Sequence, residues 1–219
     1  MATRQVLGEL ARAYESSSGS KVALESVGGV DAAKRVAAGE AFDVVILASD
    51  AVDKLIASGH VVAGSRVDIV RSGIAVAVPV GPAQPDISSE EAVKQAVLAA
   101  PTIGYSTGPS GTALLKLFER WGIAEQVATK VVQAPPGVPV GSLVAKGEVA
   151  LGFQQFSELR SLAGIVVLGP LPPAIQVTTI FSGAVCTAAA QPDAARKLLA
   201  HLASPETADT KRRHGMDPA

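Results

Sequence analysis

Three times this chain passes from an apolar, β-branched segment through a loop of glycine, serine or proline into a helical pattern, and few folds accommodate that repetition. The clearest instance is Thr102 to Trp121. Thr102-Ile103-Gly104-Tyr105 reads as a buried strand, while Leu114, Leu115, Leu117, Phe118 and Trp121 recur at helical spacing and give one apolar face. Between them lie Ser106, Thr107, Gly108, Pro109, Ser110, Gly111 and Thr112. Small residues let a ligand approach the backbone, hydroxyls donate hydrogen bonds, and the first-turn N–H groups of a helix carry partial positive charge, so this loop is a candidate anion cradle. A capped strand-to-helix turn is the simpler alternative.

The second instance runs from a strand at Lys21–Ser26 through Val27, Gly28, Gly29 and Val30 to a helix, Ala32 to Ala38, capped by Asp31. The third leads from a strand at Lys130–Gln133 through Pro135, Pro136, Gly137, Val138 and Pro139 into a helix from Ser142 to Lys146. Further helices are expected at 3–15, 51–58, 90–99, 124–128, 157–161, 192–203 and towards His214, and strands at 42–48, 73–80, 149–155, 164–169 and 175–187. The near-continuous apolar run Phe42–Ala48 has the character of a strand buried on both faces of a parallel sheet. Such alternation predicts an α/β protein, and the loop Gly81–Asp86 marks a composition break between two lobes. Two extended stretches, near 73–80 and 175–187, are the expected crossings, with 1–78 and 183–219 forming one lobe and 79–182 the other. The loops at 27–31, 106–112 and 136–142 then follow the carboxyl ends of strands, where open α/β sheets bind ligands, and a shared interlobe cleft is expected.

Composition excludes several functions. Nineteen basic residues against twenty acidic ones give no field that attracts nucleic acid, and no apolar run is long enough to cross a membrane. One cysteine, Cys186, in the apolar stretch SGAVCTAAA, reads as a core residue, and the three histidines lack metal-ligand spacing, so neither metal nor cofactor is expected. Lys211-Arg212-Arg213-His214 reads as a solvated helix end. Met1 to Arg4 runs straight into the first helical pattern without an export signal, which leaves the compartment open.

Gly28-Gly29, Ala37-Ala38-Gly39, Phe42-Asp43-Val44, Ala48-Ser49-Asp50 and Val61 to Arg66 resemble, in order and spacing, the first lobe of the periplasmic molybdate-binding proteins of ABC importers. The likeness continues through Ala77-Val78-Pro79, the Gly108–Gly111 loop, Val144 to Gly147, Gly152 to Glu158 and Arg213 to Met216. It implies a two-lobed type II periplasmic-binding-protein-like fold, each lobe a mostly parallel sheet flanked by helices, with two crossing strands at a hinge and closure over a small oxyanion. The family's ligand contacts fall near Ala2-Thr3, Gly29-Val30, Ser110-Gly111, Val138 and Gln155. Where the family carries two serines and a tyrosine, this chain has Ala2, Gly29-Val30 and Gln155, which shifts the expected donors toward backbone N–H groups. The expected site is therefore Thr3, Gly28, Gly29, Val30, Ser106, Ser110, Gly111, Thr112, Val138 and Gln155.

These readings favour a non-catalytic solute-binding protein of an ABC importer, for an oxyanion or an organic carboxylate, with a permease as partner; the resemblance implies a periplasmic location. An isomerase of a small di- or tricarboxylate, like the aconitate isomerases of similar fold, is the enzyme alternative, with Asp31 as the candidate base and helix capping as its simpler role. A cytoplasmic ligand-sensing domain is a third. Gln154 and Gln155, ending an apolar strand, need hydrogen-bond partners, and one of them is expected to face the ligand.

Overall fold

In a computed structural model, which describes residues 1–81 and 83–219, the elements follow the expected alternation; Pro82 of the predicted boundary loop lies outside the described residues. In chain order they are α1 (Arg4–Ser18), α2 (Gly29–Ala37), β1 (Val44–Ala48), α3 (Ser49–Ala57), β2 (Val67–Pro79), α4 (Glu90–Ala99), β3 (Ile103–Tyr105), α5 (Pro109–Arg120), α6 (Ala124–Val127) and β4 (Val131–Gln133). There follow α7 (Val140–Ala145), β5 (Leu151–Gln155), α8 (Phe156–Leu159), β6 (Ile165–Pro170), β7 (Thr178–Val185), α9 (Pro192–Ala203), a 3-10 turn at Pro205–Thr207, α10 (Ala208–Arg213) and β8 (Asp217–Pro218). Two compact units result, Met1–Ser72 with Thr179–Ala219, and Gly73–Thr178.

The first unit is built on β1, β7 and β2 in that order, with β8 pairing on β2. Alternation along the strands sends side chains to two layers. Val45 and Leu47 of β1, with Ala184 and Cys186, pack against Val36 of α2 and Val52 and Leu55 of α3. Val44 and Ile46 turn the other way, toward Val6, Leu7 and Leu10 of α1, Phe181 and Val185 of β7, and Leu199 and Leu202 of α9. Cys186 is a buried core residue, as its surroundings in sequence suggest. β1 pairs antiparallel with β7, and β8 antiparallel with β2, so the apolar run at 42–48 reported burial correctly but not strand direction. β3 pairs in parallel, with β4 on one side and β5 on the other.

Other expectations also fail in this unit. Lys21–Ser26 forms no strand: no ladder reaches it among the described residues, and Lys21, Ala23, Leu24 and Glu25 are exposed, so its β-branched character has no pleated neighbour to pack on. Lys211 is not part of a solvated run. It is 1% exposed, and burial alone pulls its ammonium below 10.5, whereas Arg213 and His214 reach Glu9 and Arg212 reaches Asp209.

In the second unit, Ile74, Val76 and Val78 of β2 share a core with Val93 and Val97 of α4, Ile103 of β3, Leu114 and Phe118 of α5, and Phe153 of β5. Burying Phe118 and Leu114 is worth roughly 2 kcal/mol each. Trp121 joins this core and donates its indole N–H to Glu90 at 2.7 Å, and Ser89 caps α4 by accepting from the Ala92 N–H at 3.1 Å. The opposite sheet face carries α7, which packs close because two strand positions lack a side chain. A Cβ on Gly104 would lie 2.8 Å from Val140 Cγ1, and one on Gly152 2.6 Å from Val144 Cγ2. Those two glycines set how near the start of α7 comes to the carboxyl ends of β3 and β5.

Candidate functional site

The ends of β3 and β5 bring the chemistry of the second unit together. Ile103 lies beside Leu151 and Gly104 beside Gly152 in a parallel ladder, so continuing that offset brings Ser106 level with Gln154. From these ends the chain turns into α5 and α8, and β4 delivers α7 beside them.

At the first of these turns, the Ser106 and Ser110 hydroxyls lie 3.0 Å apart, and Ser106 Oγ also accepts from the Gly108 N–H at 3.2 Å. Two hydroxyls carry two hydrogens, and their mutual bond uses one; the other is left to donate. The Gly111 and Thr112 N–H groups donate to the Gly108 carbonyl at 3.0 and 3.2 Å, so they close the helical turn. Gly111 is there for space. A Cβ at that position would fall 1.8 Å from the Ser106 carbonyl oxygen, so only glycine lets the loop fold onto its own helix. Ser110 and Gly111 are buried, and Thr112 is exposed.

The third loop closes on itself. The Val138 N–H donates to Pro135 O at 3.0 Å, and the Ser142 N–H to Pro139 O at 3.0 Å. Val138 is 36% exposed, and its apolar side chain supplies no donor. The Val140 N–H, at the start of α7, is taken by the side chain of Gln154 at 2.7 Å. An amide N–H can only donate, so this contact fixes the Gln154 carbonyl toward α7 and its NH2 the other way. There Gln154 Nε2 donates to Glu158 Oε2 at 2.7 Å.

Gln154 and Gln155 are both buried, at 2% and 1% exposure. Gln155 ends β5 opposite Ile74 and precedes α8. Glu158 is half-buried, and burial pushes its carboxyl up to about 7, with the charge of the N-terminal ammonium and the Gln154 hydrogen bond acting in the opposite sense. Beside it, the Ser157 hydroxyl is buried with no hydrogen-bond partner among the described residues. Sequence reasoning passed over Glu158 and Ser157. The available signal was the spacing of Gln154 and Glu158, four apart at a strand end, which brings an amide and a carboxyl together in the following turn.

In the first unit, Thr3 is buried and precedes α1 without a side-chain cap bond. Gly28 precedes α2, and Gly29 and Val30 open it; both are exposed, and the exposed apolar side chain of Val30 leaves only backbone donors there. Asp31 sits in the first turn of this helix and makes no cap bond, so α2 begins three residues earlier than a cap at Asp31 requires. A separate cavity of about 470 Å³ in this unit is lined by Arg4, Gln5, Gly8, Arg12, Leu24, Ser26 and His214. Arg71 is an exposed residue of β2. No cluster of metal-ligating side chains occurs among the described residues, and no helix among them is long and apolar enough to cross a membrane.

Comparison with known proteins gives this arrangement a lineage. The curated aconitate isomerase of a Pseudomonas species is 41% identical over 216 residues, covering 96% of this chain and 82% of that protein. Among solved structures, the periplasmic molybdate-binding protein of Azotobacter vinelandii superposes with a TM-score of 0.80 at 18% identity, over 98% of this chain and 95% of its own. The tungstate ABC transporter structure from Geobacter sulfurreducens gives 0.76 at 20% identity, over 94% and 91%. These two likenesses establish the type II periplasmic-binding-protein-like fold. The family profile described as "Bacterial extracellular solute-binding protein" matches residues 1–217, and the chain belongs to that family.

Proposed function

We propose that the chain binds a small unsaturated polycarboxylate of the aconitate class and interconverts its double-bond isomers. The observation that carries this reading is the 41% identity to an aconitate isomerase across nearly the whole chain, against 18–20% to the proteins that share only the fold. The local chemistry supports it. Carboxylates need directed donors, and the second unit offers the spare hydroxyl hydrogen of the Ser106–Ser110 pair and the unpartnered Ser157 O–H. The first unit offers the backbone N–H groups that open α2 and the guanidinium groups of Arg4 and Arg12 beside a cavity. Isomerisation also needs a group that holds a proton near neutral pH, and the half-buried Glu158 carboxyl has that property.

A second reading rests on the family itself: the same ligand is delivered to an ABC permease without chemical change. One pair of measurements separates the two. Calorimetric titration with cis-aconitate, trans-aconitate, citrate and molybdate reads binding, and proton NMR of each aconitate incubated with the protein reads conversion. Binding with conversion supports isomerisation. Binding of aconitate without conversion supports delivery, and molybdate binding in preference to every carboxylate overturns the proposed ligand class.

A further inference from the structure

We propose that Glu158, held at the carboxyl end of β5 by the Gln154 amide, is the catalytic residue that removes and returns the proton during isomerisation; this rests on the isomerase reading above. Aconitate carries a methylene group beside one carboxylate and next to a carbon–carbon double bond. Removing a methylene proton turns the C–H electron pair into the new double bond, and the old π pair moves to the former vinylic carbon. That carbon takes the proton back from the carboxyl group. One C–H bond breaks and one forms, the substrate is neither oxidised nor reduced, and no co-reactant is consumed. The protein must supply a base of matched strength and donors for the charge that spreads onto a substrate carboxylate.

Glu158 meets the first requirement by position. Many carboxylates here are neutralised by a cation: Glu9 by Arg213 and His214, Glu25 and Glu40 by Arg35, Asp53 and Asp68 by Arg66, and Glu90 by Arg120. A carboxylate clamped by arginine makes a weak base. Glu158 instead receives its hydrogen bond from a neutral amide, itself fixed by the Val140 N–H, and the cation that acts on it is the N-terminal ammonium, whose charge favours the carboxylate less than burial disfavours it. Within the second unit, the other elements packed on α8 are α7 and β6, and neither carries a titratable side chain. Arg160 follows closely in sequence, and its guanidinium carbon lies 5.9 Å from the centre of the Phe156 ring. Gln154 Nε2 engages one carboxyl oxygen, Oε2, and the other, Oε1, is the atom we assign to proton transfer.

Ser157 meets the second requirement through a different observation. Its hydroxyl is buried beside Glu158 and has no acceptor among the described residues, a costly state for a polar group unless a ligand supplies the acceptor. Asp31 lacks such a setting. It stands in the first turn of α2, where its charge is favoured by the helix terminus.

The test uses the full chain as wild type, Glu158→Gln and Glu158→Asp. Conversion of cis-aconitate is followed by proton NMR in D2O, trans-aconitate binding by calorimetry, and folding by thermal melting. The expected result is a fall in kcat of about 10²–10⁴-fold in Glu158→Gln, with aconitate affinity retained within a few-fold and a cooperative melt. If Glu158→Gln turns over within tenfold of wild type, the assignment is overturned while the isomerase reading stands. If the wild type binds aconitate but never converts it, both are overturned. Should Glu158→Gln fail to fold, Glu158→Asp decides: it keeps the charge but retracts it by one methylene, and a loss of at least tenfold in kcat with KM little changed supports the assignment, whereas a wild-type rate counts against it.

Discussion

Replacing Glu158 by glutamine should make the protein more stable above neutral pH, by an amount that follows from the environment of this one carboxyl. Burial raises it from an ordinary 4.5 to about 7. The folded protein therefore holds this proton over a pH range in which the unfolded chain has released it. Stability falls as pH rises through that window, from roughly 4.5 upward, and the loss is complete above about 7. Each pH unit of displacement corresponds to about 1.4 kcal/mol, so the carboxylate costs on the order of 2–3 kcal/mol at pH 8 once solvent relaxation is allowed for. Glutamine keeps the shape and can still accept from Gln154 Nε2 through its carbonyl, so the variant loses the charge without losing the clamp. Thermal unfolding of both proteins at pH 5 and pH 8 reads the effect directly. The melting temperature of Glu158→Gln relative to wild type should rise by roughly 4–10 °C between the two pH values, for a chain of this size. Contributions from titrating groups that do not interact with Glu158 cancel in that difference. Parallel pH profiles for the two proteins would refute the reasoning, because they would mean that Glu158 ionises in the folded state as it does in water.

Gly111→Ala should destabilise the second unit by several kcal/mol, since its Cβ would fall 1.8 Å from a backbone oxygen, while Gly108→Ala, whose Cβ would meet only Ser106 Oγ at 3.5 Å, should change the urea midpoint little. Equal midpoints for the two variants would remove the close-approach account of this loop. Lys211→Met should leave stability at pH 7 unchanged or raise it by about 1–2 kcal/mol, since it preserves the buried stem and removes a desolvated charge. The wild type should also gain stability as pH rises toward 10.5, because the folded lysine releases its proton before the unfolded one, and this gain should be missing from the variant's pH-dependent unfolding curves.

What the sequence disclosed, and what it did not, divides along physical lines. Local chemistry suffices where the chain satisfies itself: Ser89 caps α4, and Gly19 ends α1 with a left-handed φ of 72°. Apolar runs reported burial faithfully, as at β1 and β5, but the direction of β1 depends on β7, more than a hundred residues away, and period-two alternation carries no information about it. Lys21–Ser26 has strand composition without a strand's neighbour, and β8 is two residues long and exists only because β2 lies beside it. Lys211 shows the same limit: charge runs are read as solvated, yet the helical repeat turns one member of the run inward while Arg212 and Arg213 stay exposed. At the site, the loop Ser106–Thr112 was legible as a strand-to-helix connection, and both the turn and the hydroxyl pair are present. Glu158 was not legible, because a carboxyl's basicity is set by what surrounds it in space, and its glutamate letter is the same as that of any solvated residue.

Delivery and isomerisation make opposite demands on that carboxyl, and the difference is measurable without following the reaction. A protein that only binds a polyanion gains nothing from an ionised carboxylate beside it, because like charges at close range oppose binding. An isomerase needs the carboxylate and must tolerate that repulsion. If aconitate binds against Glu158, the ligand's charge raises the carboxyl above its already elevated value of about 7, so binding at pH 7.5 draws a proton from solution and affinity weakens as pH increases. Calorimetric titration with trans-aconitate in two buffers of different ionisation enthalpy reads that proton. The slope of observed enthalpy against buffer enthalpy should correspond to an uptake between zero and one proton for the wild type, and should shrink toward zero for Glu158→Gln. A slope of the same size in both proteins would place the ligand away from Glu158, and with it would go the argument that this carboxyl touches the reacting carbon.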